Sequence, residues 1–193
     1  MDRLKEAAAI SENPFANVVI TLLLDTGMRV SELCALDRSS VDLDDLSATV
    51  REGKGGKDRL VLFTQATVET IDAYGFVREQ IVSRHIPSDD HRDALILNRR
   101  GRRLTPRAVQ KLMDKLADAA DIPRSKLSPH TLRHNFATGL LEGGVDLVSI
   151  QRLMGHANIA TTRVYLEISD QSLREIYHRA QKASREINDE DET

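Results

Sequence analysis

The 193-residue sequence contains no tryptophan, a single cysteine and no long hydrophobic run. The lone Cys34 excludes an internal disulfide and fits a reducing cytoplasm, and its place in the apolar pattern SELCAL predicts a core residue rather than a nucleophile. No apolar stretch approaches the roughly 20 residues that span a bilayer, and the start MDRLKEAAAI lacks the hydrophobic segment of a signal peptide. We therefore expect a cytoplasmic protein without a membrane partner.

The net charge of −3 is distributed unevenly. Residues 94–134 hold ten Lys or Arg and three Asp, whereas residues 1–50 hold four basic and nine acidic residues, and the tail NDEDET adds four acids. A charged cluster is usually only a solvated face, but RRGRR is unusually dense, and the asymmetry favours one basic face with the acids on the far side and in the tail. The negative net charge taken alone argues against a nucleic-acid partner. If such a basic face does bind DNA, the candidate contacts are Lys57, Arg59, Arg99, Arg100, Arg102, Arg103 and Arg107.

The segment SPHTLRHNFAT predicts a helix over about 129–142. Ser128 is a suitable N-cap, Pro129 suits the first helical position, and Gly143-Gly144 ends the segment. An apolar stripe recurs every four residues at Leu132, Phe136 and Leu140. At roughly 100° per residue, His130 and Arg133 lie on one side, beside this stripe.

Three interpretations of His130 and Arg133 compete. The pair could belong to an ordinary polar helix face with a hydrogen-bonded histidine. His130 and His134 have the spacing of a zinc motif, but Thr131 stands where that motif has glutamate. A guanidinium and an imidazole near a helix N-terminus could instead bind a phosphate. This segment alone leaves the choice open.

The remaining patterns predict a mainly helical α+β fold. Helices are expected over about 14–25, closed by Gly27, and over about 65–85, 106–120, 145–154 and 170–187. Two β-like runs within 47–63 flank a glycine-rich turn that carries Lys54, which predicts an antiparallel hairpin. ALILN predicts one further short strand, and the acidic tail 188–193 is expected to be disordered.

Five segments in order carry a resemblance: DTGMRVSELCAL, GKGGKDR, PHTLRH, LMGHANIATT and TTRVY. Together they resemble the catalytic domain of the tyrosine recombinases, the phage-integrase and Xer family. The resemblance implies a catalytic domain over 1–187 with a small hairpin or three-stranded sheet at one edge. Such proteins commonly carry a helical core-binding domain ahead of this one, which is absent here, so we expect an excised catalytic fragment rather than a minimal recombinase.

The resemblance also implies the chemistry, which is site-specific DNA cleavage and rejoining through a 3′-phosphotyrosyl intermediate. Tyr165 would be the nucleophile, although a phenol with a pKa of about 10 needs a base or a cationic setting to attack near pH 7. Arg29 and Arg133 would bind the nonbridging phosphate oxygens and stabilise the transition state.

Four other residues receive roles in the same way. Lys54 would protonate the leaving 5′-oxygen, His130 would assist proton transfer at the phenol, and His156 would hydrogen-bond a phosphate oxygen. Glu32 would orient Arg29 or cap its own helix. This scheme needs no metal and no cofactor.

The expected partners are double-stranded DNA and further copies of the chain, as a tetramer on DNA and a monomer when free. The last helix could dock into a neighbouring protomer or fold back on its own domain, and Tyr177 within it is expected to be a core or interface residue. Two other functions stay open. One is a type IB topoisomerase that nicks and closes, and the other is a non-catalytic helix-turn-helix module with Gly155 at its turn.

Overall fold

The computed structural model describes residues 1–51, 58–155 and 174–182. The described chain is mainly helical. Its elements are, in order, α1 (Asp2–Ala9), α2 (Ala16–Thr26), α3 (Val30–Ala35), β1 (Val41–Asp42), β2 (Ser47–Val50), β3 (Arg59–Leu62), α4 (Gln65–Arg84), α5 (Asp89–Arg92), α6 (Pro106–Ala119), α7 (Pro129–Glu142) and α8 (Leu147–Met154). Residues 174–182 form a further helix, α9.

The strands form one small antiparallel sheet in the order β1-β2-β3. Ser47 pairs with Leu62 and Val50 pairs with Arg59, so β2 and β3 are the two arms of a hairpin. The predicted combination of a helical protein and a small antiparallel sheet is confirmed. The turn that carries Lys54 lies outside the described residues.

Helix α2 is the apolar centre of the fold. Its sequence ANVVITLLLDT buries residues on several faces, because α1, α4 and α7 all pack against it. The helix ends at Gly27, whose φ of 58° is the left-handed conformation typical of a helix C-terminus. This sharp end turns the chain directly into α3.

A second cluster of buried side chains joins α7, α8 and α9. It includes Phe136, Leu153 and Tyr177, and Tyr177 is 0% exposed. The Tyr177 hydroxyl donates a hydrogen bond of 2.6 Å to the Asp25 carbonyl oxygen at the end of α2. In the described part of the chain, α9 therefore packs against its own domain, and Tyr177 is a core residue.

The structure differs from the sequence-based expectations at three places. Helix α1 was not predicted, and neither was the short helix α5 in the acidic stretch after Ser88. ALILN is not a strand: Ala94 and Leu97 each make one isolated bridge, to Asp37 and Arg103 respectively. Within the described ranges, no helix has the length and hydrophobicity to cross a membrane.

Candidate active site

The junction between α2 and α3 positions Arg29. Its backbone is extended and it occupies the N-cap of α3. The Glu32 carboxylate accepts a hydrogen bond of 2.6 Å from the Arg29 backbone N–H through Oε2 and one of 2.7 Å from Arg29 Nη1 through Oε1. Glu32 thus does both things that the sequence suggested, since it caps α3 and orients the Arg29 guanidinium.

Arg133 enters the same region from α7. Ser128 caps this helix by accepting from the Thr131 N–H, and Pro129 follows at the first position, as predicted. Arg133 is only 8% exposed. Its Nη1 donates to the Gly27 carbonyl oxygen and its Nη2 to that of Met154, both at 2.5 Å. The ends of α2 and α8 therefore fix the plane of this guanidinium.

The charges around Arg133 make its burial costly. Burial, followed by the nearby positive charges of Arg29 and Arg59, lowers the pKa of Arg133 to about 10, and Glu32 only partly opposes this. Arg133 remains protonated at neutral pH. A site that holds several cations so close together is prepared to receive an anion.

Arg29, His130 and Arg133 line one cavity of about 400 Å³. Arg29 and Arg133 therefore share one environment instead of pointing into separate ones. His130 is exposed at the rim, whereas His134 is exposed and does not line the cavity. Sequence reasoning missed two polar residues of the lining, Ser31 and Gln110. Nothing in the sequence marks Gln110, because it is one polar residue on an amphipathic helix.

Arg59 lies behind this cavity rather than on an open surface. Its side chain is 8% exposed and forms an ion pair of 2.7 Å between Nη2 and Glu32 Oε2. Its Nη1 donates to the Leu153 carbonyl oxygen at 2.9 Å. Burial raises the pKa of Glu32, but the charge of Arg59 and the hydrogen bonds from Arg29 outweigh burial and hold that pKa below its ordinary value.

The other arginines proposed as DNA contacts fall into two groups. One group is exposed and consists of Arg99, Arg100, Arg102 and Arg107. Arg103 is half-buried: it forms an ion pair of 2.5 Å with Asp37 and donates to the carbonyl oxygens of Cys34 and Leu36. These bonds give Arg103 a structural role, because it ties the turn after ALILN to the end of α3.

Four sequence-predicted site residues lie outside the described residues, namely Lys54, Lys57, His156 and Tyr165. Their roles stay predictions. Among residues 1–51, 58–155 and 174–182, no group of three or more His, Cys, Asp or Glu side chains could hold a metal ion.

A helical fold with a small antiparallel sheet, and two arginines that line one cavity, are the features of a protein that binds an anion such as phosphate. The chain belongs to the phage integrase family, whose model matches residues 1–172. Among curated proteins, the tyrosine recombinase XerC of Myxococcus xanthus is 39% identical over 163 residues, which are 84% of this chain and 53% of that protein. The tyrosine recombinase XerA of Thermococcus onnurineus is 39% identical over 165 residues, covering 84% of this chain and 54% of that protein.

Solved structures support the same assignment of the fold. The crystal structure of XerA recombinase matches with a TM-score of 0.72 at 36% identity, over 92% of this chain and 61% of that one. The XerH site-specific recombinase bound to its difH substrate, in a pre-cleavage complex, matches with a TM-score of 0.67 at 26% identity, over 95% of this chain and 50% of that one. The chain spans about half the length of the curated relatives that it matches.

Proposed function

We propose that this chain performs site-specific DNA recombination, cleaving and rejoining strands through a 3′-phosphotyrosyl intermediate. The observation that carries the proposal is the convergence of Arg29, His130 and Arg133 on one cavity of about 400 Å³. Membership of the phage integrase family and the similarity to the tyrosine recombinases XerC and XerA support it. One relative was solved bound to a DNA substrate, which makes double-stranded DNA the proposed partner.

The scissile phosphate would enter the cavity between Arg29 and Arg133. A guanidinium carries five N–H donors, and two of those on Arg133 are held by backbone carbonyls, so its orientation is set before the phosphate arrives. Preorganised donors of this kind stabilise charge that develops in a transition state without reorganising. This is the contribution that Arg29 and Arg133 would make to the reaction.

The other steps are assigned through the sequence resemblance. The Tyr165 phenol would attack phosphorus to form a 3′-phosphotyrosyl bond, and the 5′-oxygen would leave with a proton from Lys54. His130 would accept the phenolic proton, and His156 would hydrogen-bond a nonbridging oxygen. Rejoining reverses these steps, because attack by a 5′-hydroxyl releases the phenol. The bond energy is conserved, so the scheme uses no nucleotide cofactor.

Recombination exchanges strands between two sites, so we propose a homotetramer on DNA and a monomer in free solution. The place of action would be the nucleoid. This chain spans about half the length of those relatives. We expect weak binding that falls steeply with salt, as gel-shift titrations at several ionic strengths would measure. Nanomolar affinity that is insensitive to salt would contradict this expectation.

A nicked suicide substrate tests the chemistry. The probes are a nicked duplex carrying difH, the site named for the XerH relative, and a pool of nicked duplexes of random sequence. After cleavage the short 5′-hydroxyl strand diffuses away, so the wild-type chain should accumulate a protein–DNA band that resists SDS. Tyr165→Phe should abolish this band. Tyr177→Phe is the matched control, because it removes a buried phenol of α9 and should leave the band in place.

The outcomes separate the alternatives. A covalent band that survives in Tyr165→Phe but is lost in another tyrosine variant would overturn the assignment of the nucleophile. Specific DNA binding with no covalent band from any probe would indicate a non-catalytic module. A covalent intermediate that relaxes supercoils without exchanging strands between two sites would indicate a type IB topoisomerase.

A further inference from the structure

We propose that Arg59 is a positioning residue for the phosphate-binding arginines and does not contact DNA. The inference deepens the proposed function and rests on it. Arg59 opens strand β3, yet its side chain bonds to two other segments: Glu32 in α3 and the Leu153 carbonyl oxygen in α8. The Arg59 guanidinium therefore joins α3, which is capped by Arg29, to α8, which ends beside Arg133.

Burial argues against a direct role in DNA binding. The side chains of Arg59 and Glu32 are 8% and 9% exposed, and 2.7 Å separates their charged atoms. For Arg59 to reach a DNA phosphate it would have to break this buried ion pair and leave Arg29 as the remaining partner of Glu32, which is unfavourable. A backbone phosphate is better served by the exposed arginines near Arg100.

The ion pair controls how much positive charge reaches the cavity. Glu32 is shared, since Oε1 faces Arg29 Nη1 and Oε2 faces Arg59 Nη2, each at 2.7 Å. With Arg59 present, one carboxylate balances only one of three guanidiniums, and two positive charges remain for an anion. Without Arg59, Glu32 would neutralise Arg29, and the cluster would keep a single excess charge.

The backbone contact adds a geometric effect. The carbonyl oxygen of Leu153 binds Arg59, and that of the next residue, Met154, binds Arg133. The two arginines thus hold consecutive carbonyls at the end of α8. Losing Arg59 releases one of the two anchors of this helix end, so Arg133 would lose part of its fixed orientation.

The space around Arg59 is filled, so the guanidinium has little room to move. A Cβ atom added at Gly155 would lie 2.5 Å from Arg59 Nε, far inside van der Waals contact. Arg59 Nε itself is buried and has no hydrogen-bond partner among the described residues. Arg59 is therefore held in one orientation between α3 and α8.

The test compares Arg59→Met and Arg59→Lys with Arg84→Met, which removes one exposed arginine from the end of α4. Affinity for the suicide duplex and its salt dependence are measured by gel shift, and covalent complex formation is followed at saturating protein. We expect the salt slope to be unchanged in all variants, because no phosphate contact is lost, and the affinity for DNA to fall by at most about fivefold in Arg59→Met, because the cavity keeps less excess positive charge for the scissile phosphate. Covalent complex formation should slow about 100-fold in Arg59→Met, about 10-fold in Arg59→Lys and not at all in Arg84→Met.

A duplex with a methylphosphonate at the scissile position distinguishes an electrostatic defect from a general folding defect, because a folding defect would slow cleavage of both substrates equally. This linkage lacks one negative charge, so it depends less on the excess positive charge of the cavity. The Arg59→Met defect should shrink from about 100-fold on the phosphodiester to less than about 10-fold on the methylphosphonate. Equal losses on both substrates would overturn the electrostatic role.

Other results also decide the question. Weaker binding with a salt slope reduced by about 0.9 would show that Arg59 contacts a phosphate and would overturn the proposal. Unimpaired covalent complex formation in Arg59→Met would overturn it as well. If the wild-type chain forms no covalent complex, the proposed function fails by itself. In that case, binding of inorganic phosphate, measured by thermal shift, tests the role of Arg59. At least about threefold weaker phosphate binding in Arg59→Met supports the positioning role, and equal binding overturns it.

Discussion

Replacing Gly27 by alanine should lower the free energy of unfolding by about 2–5 kcal/mol. The residue has a φ of 58°, and a side chain in this left-handed conformation costs roughly 1–2 kcal/mol. The added Cβ would also lie 2.8 Å from Phe136 Cγ, and forcing an extra carbon into a packed core costs about 1–3 kcal/mol. The two costs add because one concerns the backbone and the other concerns the packing of α7.

Urea unfolding followed by circular dichroism measures this loss. Gly75→Ala is the matched control, because Gly75 lies within α4 and its added Cβ would meet no atom within 4 Å. Alanine there should raise stability by about 0.5–1 kcal/mol, since glycine is a poor helix former. The reasoning is refuted if Gly27→Ala costs less than about 1 kcal/mol, or if both variants lose stability equally.

A double variant separates the two costs at Gly27. Phe136→Leu removes the ring that the new Cβ would meet but leaves the backbone conformation unchanged. In a double-mutant cycle, Gly27→Ala should therefore cost about 1–2 kcal/mol less in the Phe136→Leu background than in wild type. If the effects of the two substitutions are strictly additive, the whole loss arises from the backbone, and the Phe136 ring moves aside at no energetic cost.

Experiments at three other residues have defined outcomes. Mass spectrometry should show that Cys34 reacts with iodoacetamide at pH 8 at least about 100-fold more slowly in the folded protein than in urea. Burial raises the pKa of the Cys34 thiol to about 11, and the nearby charge of Arg103 opposes this only weakly. For the same reason stability should fall as the pH rises from about 9 to 11, where only the unfolded thiol ionises, and Cys34→Ala should remove that part of the fall. Thr64→Ala should cost about 1–2 kcal/mol in urea unfolding, because its hydroxyl caps α4 and donates to Asp25 at 2.9 Å, whereas Thr70→Ala on the exposed face should stay within about 0.5 kcal/mol. Glu32→Gln should make the free energy of unfolding less dependent on pH below about pH 5. The pKa of Glu32 is lowered in the folded protein, so its ionised form stabilises the fold above this pH, and that stabilisation is lost as the pH falls.

Local signals predicted the helix boundaries that matter for the site. Ser128, followed by proline, caps α7 as expected, and Gly27 ends α2; Thr105, also followed by proline, caps α6 in the same way. These signals work because a cap is decided by a few neighbouring residues. The pairing of β2 with β3 was predictable for the same reason, since a glycine-rich turn brings adjacent runs together.

Sequence reasoning is weaker for residues whose contacts depend on distant partners. Arg59 and Arg103 entered the sequence interpretation as DNA contacts because they belong to basic stretches. The structure pairs them with Glu32 and Asp37, which are 27 and 66 positions away. Charge counting along a chain cannot detect such pairs. The strand prediction for ALILN was wrong for a different reason. The segment has real β propensity, but in this fold it forms only isolated bridges.

Helix C-termini explain how a buried arginine cluster can be stable in this fold. The last carbonyl groups of a helix have no partners within it and carry partial negative charge. Gly27 and Gly155, both at positive φ, end α2 and α8, and the carbonyl oxygens there accept from buried arginines. Gly27 in DTGMR and Gly155 in LMGH therefore contribute to the site through the backbone, because each makes a helix end at which a guanidinium can be buried beside its cationic neighbours. The compensation is incomplete, as the lowered pKa of Arg133 shows, and the remaining electrostatic cost is what a bound phosphate would relieve.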